Sequence, residues 1–211
     1  GNWLSPWRGK VKTNWGVSPW LCEKDPGLMQ YYYDTKTQND YFFDGPSGYV
    51  YASPHHLRKP VLMDFARKTK KGNEIADTKV ADIWYFYPLK PDELRYKWLS
   101  IMGLEGLTQW HDKQVVKYIN DCPPIIHSNH YYDYRDITPA DYADMIQKEM
   151  KQVSPPWFIV VYGGNPKYFY EVMKALPEDK YKAVSLDEMF IAAEKVRGKV
   201  ENKIVQPLKN S

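Results

Sequence analysis

The stretch VADIWYFYPLKPDELRYKWLSIMG, residues 80–103, decides the fold class. Its first part, Val80 to Pro88, is apolar on both faces of an extended chain. A strand buried on both sides in a parallel sheet reads this way. Its second part carries Leu94, Trp98, Ile101 and Met102 at i, i+4, i+7 and i+8, the stripe of an amphipathic helix. A buried strand running straight into a helix is one βα unit, and the question is whether the chain repeats it.

Upstream it does. VKTNWGVS, Val11 to Ser18, reads as a strand. DPGLMQYYYDTKT follows as a helix, with Asp25 as its N-cap and Pro26 at its first position. DYFFDG is the next strand. HHLRKPVLMDFARKTKKG is helical after Pro60, with Gly72 as the expected stop. Downstream, LEGLTQW reads as a short strand and DKQVVKYIND as a short helix, and CPPIIHSNHYYDY carries a strand around Ile125 and Ile126. TPADYADMIQKEMKQV is a helix capped by Thr138. PPWFIVVYGG has the clearest strand pattern in the chain, followed by a helix capped by Asn165. YKAVS is a last strand, and SLDEMFIAAEKVRG opens with the capping box Ser185 and Glu188 and closes at Gly198.

Strand and helix therefore alternate six or seven times. That order predicts an α/β fold: a mostly parallel sheet with flanking helices, (β/α) barrel-like and incomplete. No internal repeat or low-complexity linker divides it. Residues 2–198 read as a single α/β domain and 199–211 as a polar C-terminal tail.

Composition narrows the function. The chain has 211 residues and 43% hydrophobic content, enough for one core. A net charge of +3 lacks the concentrated positive surface that nucleic acids require. No run is long and apolar enough to be read as a membrane span. The two cysteines, Cys22 and Cys122, read as free thiols, with pairing left open. Neither lies in a nucleophile motif, and no Gly-x-Ser-x-Gly elbow occurs. YGGNP, Tyr162 to Pro166, lacks a nucleotide-binding pattern, so no cofactor is expected. Aromatic residues make up 16%, with 18 Tyr and 8 Trp. Such rings fill cores, and they also stack on the flat apolar faces of sugars.

In open and closed α/β folds the ligand lies beyond the carboxyl ends of the strands. Polar and aromatic side chains gather at these expected exits. One exit is unusual. YFFDGPSGYVYASPHH, Tyr41 to His56, leaves a strand at Asp44, turns twice at glycine, and presents Tyr49 and Tyr51 at alternate positions.

This segment resembles the signature of the GxGYxYP family of putative glycoside hydrolases. RGKVKTNWGVSP, LMQYYYDTKTQNDYFFDGPSGYVY, PPWFIVVYGG and YKAVSLDEMFIAA resemble further segments of that family in the same order, from Arg8 to Val196. The signature itself departs from the pattern: Pro46 stands where its first glycine would be, and its final proline is displaced to Pro54. The resemblance implies a carbohydrate as partner and a bacterial protein that is secreted or periplasmic. It also implies a longer parent chain, because the acidic Asp-Gly-Asp-Asn-like stretch of an earlier family strand is absent here.

Glycoside hydrolysis uses two carboxyl groups, about 5 Å apart for retention and roughly 6.5–9.5 Å apart for inversion. Asp44 is the first candidate, and it equally suits a turn-former that caps the Gly45–Pro46 backbone. Glu105 and Glu23 are the candidate partners, unranked. Trp15, Tyr49, Tyr51, Tyr85 and Trp110 are candidate stacking walls. Ser18, His127, Asn129 and His130 are candidate hydrogen-bonding groups for sugar hydroxyls. Two alternatives stay open: a non-catalytic carbohydrate-binding domain, and a metal-dependent carbohydrate deacetylase using His127, His130 and an aspartate.

Overall fold

Residues 2–83, 98–110, 115–119, 122–128, 137–163 and 165–201 are described in a computed structural model. Among them six strands form one sheet: β1 (Thr13–Val17), β2 (Asp40–Asp44), β3 (Val80–Asp82), β4 (Gly106–Trp110), β5 (Val115–Lys117) and β6 (Ile125–Ser128). The order across the sheet is β1-β2-β3-β4-β6-β5. All neighbours are parallel except β5, which pairs antiparallel with β6. The mostly parallel α/β sheet read from the sequence is present. Among the described residues it is open rather than closed, running from β1 to β5, and β5 is bridged at Val116 to Glu201.

The helices are α1 (Trp20–Lys24), α2 (Pro26–Thr35), α3 (Lys59–Ala76), α4 (Pro139–Met150), α5 (Pro166–Ala175), α6 (Leu186–Lys195) and α7 (Arg197–Val200). Their starts follow the expected caps. Asp25 accepts from the Leu28 N–H, Thr138 from Asp141 and Asn165 from Tyr168, and Ser185 with Glu188 forms the capping box. Each cap satisfies one or two of the donors that a helix start leaves unpaired, worth about 1 kcal/mol.

The register sorts the two faces. Val17, Asp44, Ala81, Leu107 and Ile125 lie side by side across five strands. Their face meets α3 and the helical residues 98–101, in a core that includes Leu62, Ala66, Trp98, Leu99 and Met102. One residue on, Asp82, Thr108 and Ile126 form the next row, and alternation turns them to the opposite face. That second face packs on α6 through Leu186, Met189 and Phe190. A third core lies between α4 and α5.

Four expectations are corrected. Residues of DKQVVKYIND form β5, not a helix: Val115 and Val116 are β-branched and bury in the sheet. Gly72 does not stop α3, which runs to Ala76. A Cβ at Gly72 would lie 2.6 Å from Pro19, so this glycine admits the start of α1 rather than ending α3. Gly198 lies inside α7, and α6 ends at Lys195. Finally, among the described residues PPWFIVVYGG shows only a bridge at Tyr162, and YKAVS shows no strand. Residues 156–161 and 181–184 are extended without ladder pairing among the described residues. Their alternation is nonetheless that of a strand. Trp157, Ile159 and Val161 pack toward α4 and α5, while Phe158, Val160 and Tyr162 pack toward the sheet.

Candidate functional site

Two aspartates stand at the carboxyl ends of neighbouring central strands. Asp44 ends β2 and Asp82 ends β3. Both are buried, Asp44 at 0% exposure. Their side chains leave opposite faces of the sheet, as the register requires.

Asp44 is enclosed by the signature loop. Its Oδ1 accepts the Gly48 N–H at 3.1 Å, and its Oδ2 accepts Asn73 Nδ2 of α3 at 3.1 Å. Asn73 is itself oriented by Thr78, whose hydroxyl donates to Asn73 Oδ1 at 2.9 Å. Gly48 has φ +114, and a Cβ there would meet Phe65 and Thr69, so glycine is required. The Tyr49 N–H donates to Thr69 Oγ1, and the Tyr49 carbonyl accepts from Ser18 Oγ and from the Trp20 N–H. Burial pushes the Asp44 carboxyl up to about 7. The two hydrogen bonds pull it down, and the charge of Asp82 raises it further.

Asp82 faces the second core. Thr108 Oγ1 donates to its Oδ1 at 2.7 Å, and Tyr162 Oη donates to the same oxygen at 2.8 Å. Burial, then the Asp82 charge, raises the Tyr162 hydroxyl well above its ordinary value, so it stays a donor. In the same row as Trp110, Ser128 Oγ donates to the Val160 carbonyl at 2.5 Å. Trp110 ends β4 with 42% exposure, a ring open at the strand exits.

The other candidates separate. Glu105 precedes β4, and its N–H donates to the Lys79 carbonyl at 2.7 Å. It therefore sits at the amino ends of the strands, opposite the edge that Asp44 occupies, with its carboxylate 3.5 Å from Lys79 Nζ. Glu23 lies on the exposed side of α1, bound by Lys24 and by the Tyr49 hydroxyl, which hold it below the usual carboxylate range. Trp15 donates to Asp40 at 2.8 Å and packs edge-on against Trp3, on the α2 side of β1. Asp40 also accepts from Arg8 at 2.6 Å and from Thr37, which makes this a structural hub. His127 is buried beside Gln109 on the face opposite Asp82. Tyr51 is 71% exposed. Tyr85, Asn129 and His130 lie outside the described residues. Among the described residues no three His, Cys, Asp or Glu groups converge as a metal site, and no helix is long and apolar enough to cross a membrane.

Sequence reading missed Asp82, Thr108, Asn73 and Ser128, and it inspected Tyr162 without assigning it a role. One signal was present: an aspartate inside the otherwise apolar run VADIW. A charge within a doubly buried strand needs partners, and here it has them.

The fold is shared with solved structures. A putative hydrolase from Bacteroides thetaiotaomicron VPI-5482 superposes with a TM-score of 0.79 at 17% identity, covering 92% of this chain and 41% of that one. The chain thus spans about two-fifths of that structure. A putative polysaccharide deacetylase from Mycobacterium smegmatis superposes with a TM-score of 0.55 at 12% identity, covering 96% of this chain and 77% of that one. No curated protein matches. The family model described as GxGYxYP putative glycoside hydrolase C-terminal domain matches residues 1–193, and the chain belongs to that family.

Proposed function

We infer that this domain acts on a carbohydrate at the carboxyl ends of its strands, as a glycoside hydrolase-like domain. The observation that carries the reading is Asp82: a buried carboxylate ending a central strand, with two hydroxyl donors on one oxygen and a second aspartate at the neighbouring strand end. Family membership supports the substrate class. In this reading Asp82 is the base or nucleophile. Asp44, whose carboxyl burial pushes up to about 7, is the candidate proton donor at the neighbouring strand end. Trp110, Tyr49 and Tyr51 offer rings to the sugar. Extracellular or periplasmic residence belongs to the same proposal.

The test is cleavage of a panel of oligosaccharides, read by chromatography, for the wild type and for Asp82→Asn and Asp44→Asn. Asp82→Asn is expected to lose turnover by at least a hundredfold while keeping its fold and its sugar binding. Turnover that needs protonated Asp44 falls as pH rises through about 7. Full activity in Asp82→Asn would overturn the assignment.

One observation favours a second reading. Both oxygens of Asp44 are engaged internally, and Glu105 and Glu23 stand elsewhere. Neither Asp44 as it stands nor Glu105 or Glu23 then serves as the second carboxyl group, and the domain binds sugar without cleaving it. Sugar binding by the wild type with no cleavage product identifies that case.

A further inference from the structure

A cavity of about 590 Å³ lies between the sheet and helices α4, α5 and α6. Its volume falls in the range of small-molecule sites. Phe43, Phe158, Val160 and Met189 line it on the sheet side of residues 156–162, and Phe169 and Met173 line it on the α5 side of that segment. Phe43 is wedged: Cβ atoms built on Gly16 and Gly45 would come within 3.2 Å and 2.7 Å of its ring. The wall is therefore held in place by neighbours that leave no room to turn. The lining includes Thr108 and Tyr162, the two residues that donate to Asp82. It also includes Lys12 and Glu188, paired at 2.6 Å.

The cavity thus shares Thr108 and Tyr162 with the candidate site, and the larger part of its lining is apolar. A free sugar would leave the part lined by Phe, Val and Met unfilled, because those side chains offer hydroxyls nothing to bond. We propose that the cavity binds an aliphatic or aromatic group, the apolar substituent of a glycoside whose sugar sits at Asp82. The sugar half of this statement rests on the proposed function; the cavity half does not.

The experiment separates the two. Wild-type protein is titrated by calorimetry with two series: n-alkyl glucosides from methyl to octyl, kept below their micelle concentrations, and the matching n-alcohols. Affinity is expected to rise in both series by up to roughly fourfold per methylene until the cavity is full. Val160→Phe, which fills the space from the sheet side, flattens that dependence. Met173→Trp does the same from the opposite wall should the first variant fold poorly. Affinity independent of chain length in both series overturns the cavity assignment, even if sugars bind. A dependence seen with alcohols, and no gain from the glucose unit, upholds the cavity and overturns the carbohydrate reading.

Discussion

Asp44 shows what burial does to one carboxyl group. In the unfolded chain it titrates near 3.8, and in the fold near 7, chiefly because burial disfavours its charge. Between these values the folded protein holds a proton that the unfolded chain has released. The stabilising contribution is complete below about pH 4 and is lost as pH rises through about 7, at about 1.4 kcal/mol per unit. Urea unfolding from pH 4 to 8 is expected to show this decline, and Asp44→Asn to flatten it. A neighbouring change tests the clamp itself. Asn73→Ala removes the donor to Asp44 Oδ2 and the acceptor for Thr78, and should cost about 1–3 kcal/mol in the same assay. The residue types at this clamp were legible: an Asp before Gly-Pro, and a glycine before two tyrosines. The partner Asn73 was not, because it stands 29 residues away on a helix whose rotation only packing fixes.

At the scale of elements, hydrophobic period carried the reading a long way. The helices α2 to α6 start where Asp25, Pro60, Thr138, Asn165 and Ser185 announce them, to within one residue. Strand identity was harder. Alternation in PPWFIVVYGG reports packing on two sides, which residues 156–161 have, and says nothing about ladder bonds, which they do not make among the described residues. Glycine was harder still. Gly72 read as a helix stop and serves a close approach. Gly106 is the sharper case: a Cβ on it would lie 2.3 Å from the Phe190 ring, so α6 seats directly on the start of β4. Gly106→Ala should destabilise by about 1–3 kcal/mol through overpacking, seen as a lower urea midpoint at unchanged slope.

At the scale of the molecule, the strand β1 must be joined to α6 across a stretch with no ladder among the described residues. Asn14 does this with one side chain. Its Oδ1 accepts the Leu186 N–H at 2.9 Å, and its Nδ2 donates to the Val184 carbonyl at 3.4 Å. Asn14→Ala should cost about 1–3 kcal/mol and speed hydrogen exchange at Leu186 more than at Leu107 in the sheet centre. Equal exchange at both positions would show that this tie does not hold the edge.

What the sequence determined alone is whatever depends on neighbours along the chain: the alternation of strands and helices, the caps, the parallel sheet they imply, and the loop that carries the family signature. Those features follow from side-chain period and local hydrogen bonding, which act over a few residues. Tertiary structure decided the rest. It set Glu105 at the wrong edge of the sheet for Asp44, drew Trp15 into a hub around Asp40, and put Thr108 and Tyr162 on one oxygen of Asp82. The reason is strand register. Moving one strand by a single residue exchanges its two faces, and that choice is made by the packing of the whole core rather than by any segment of it.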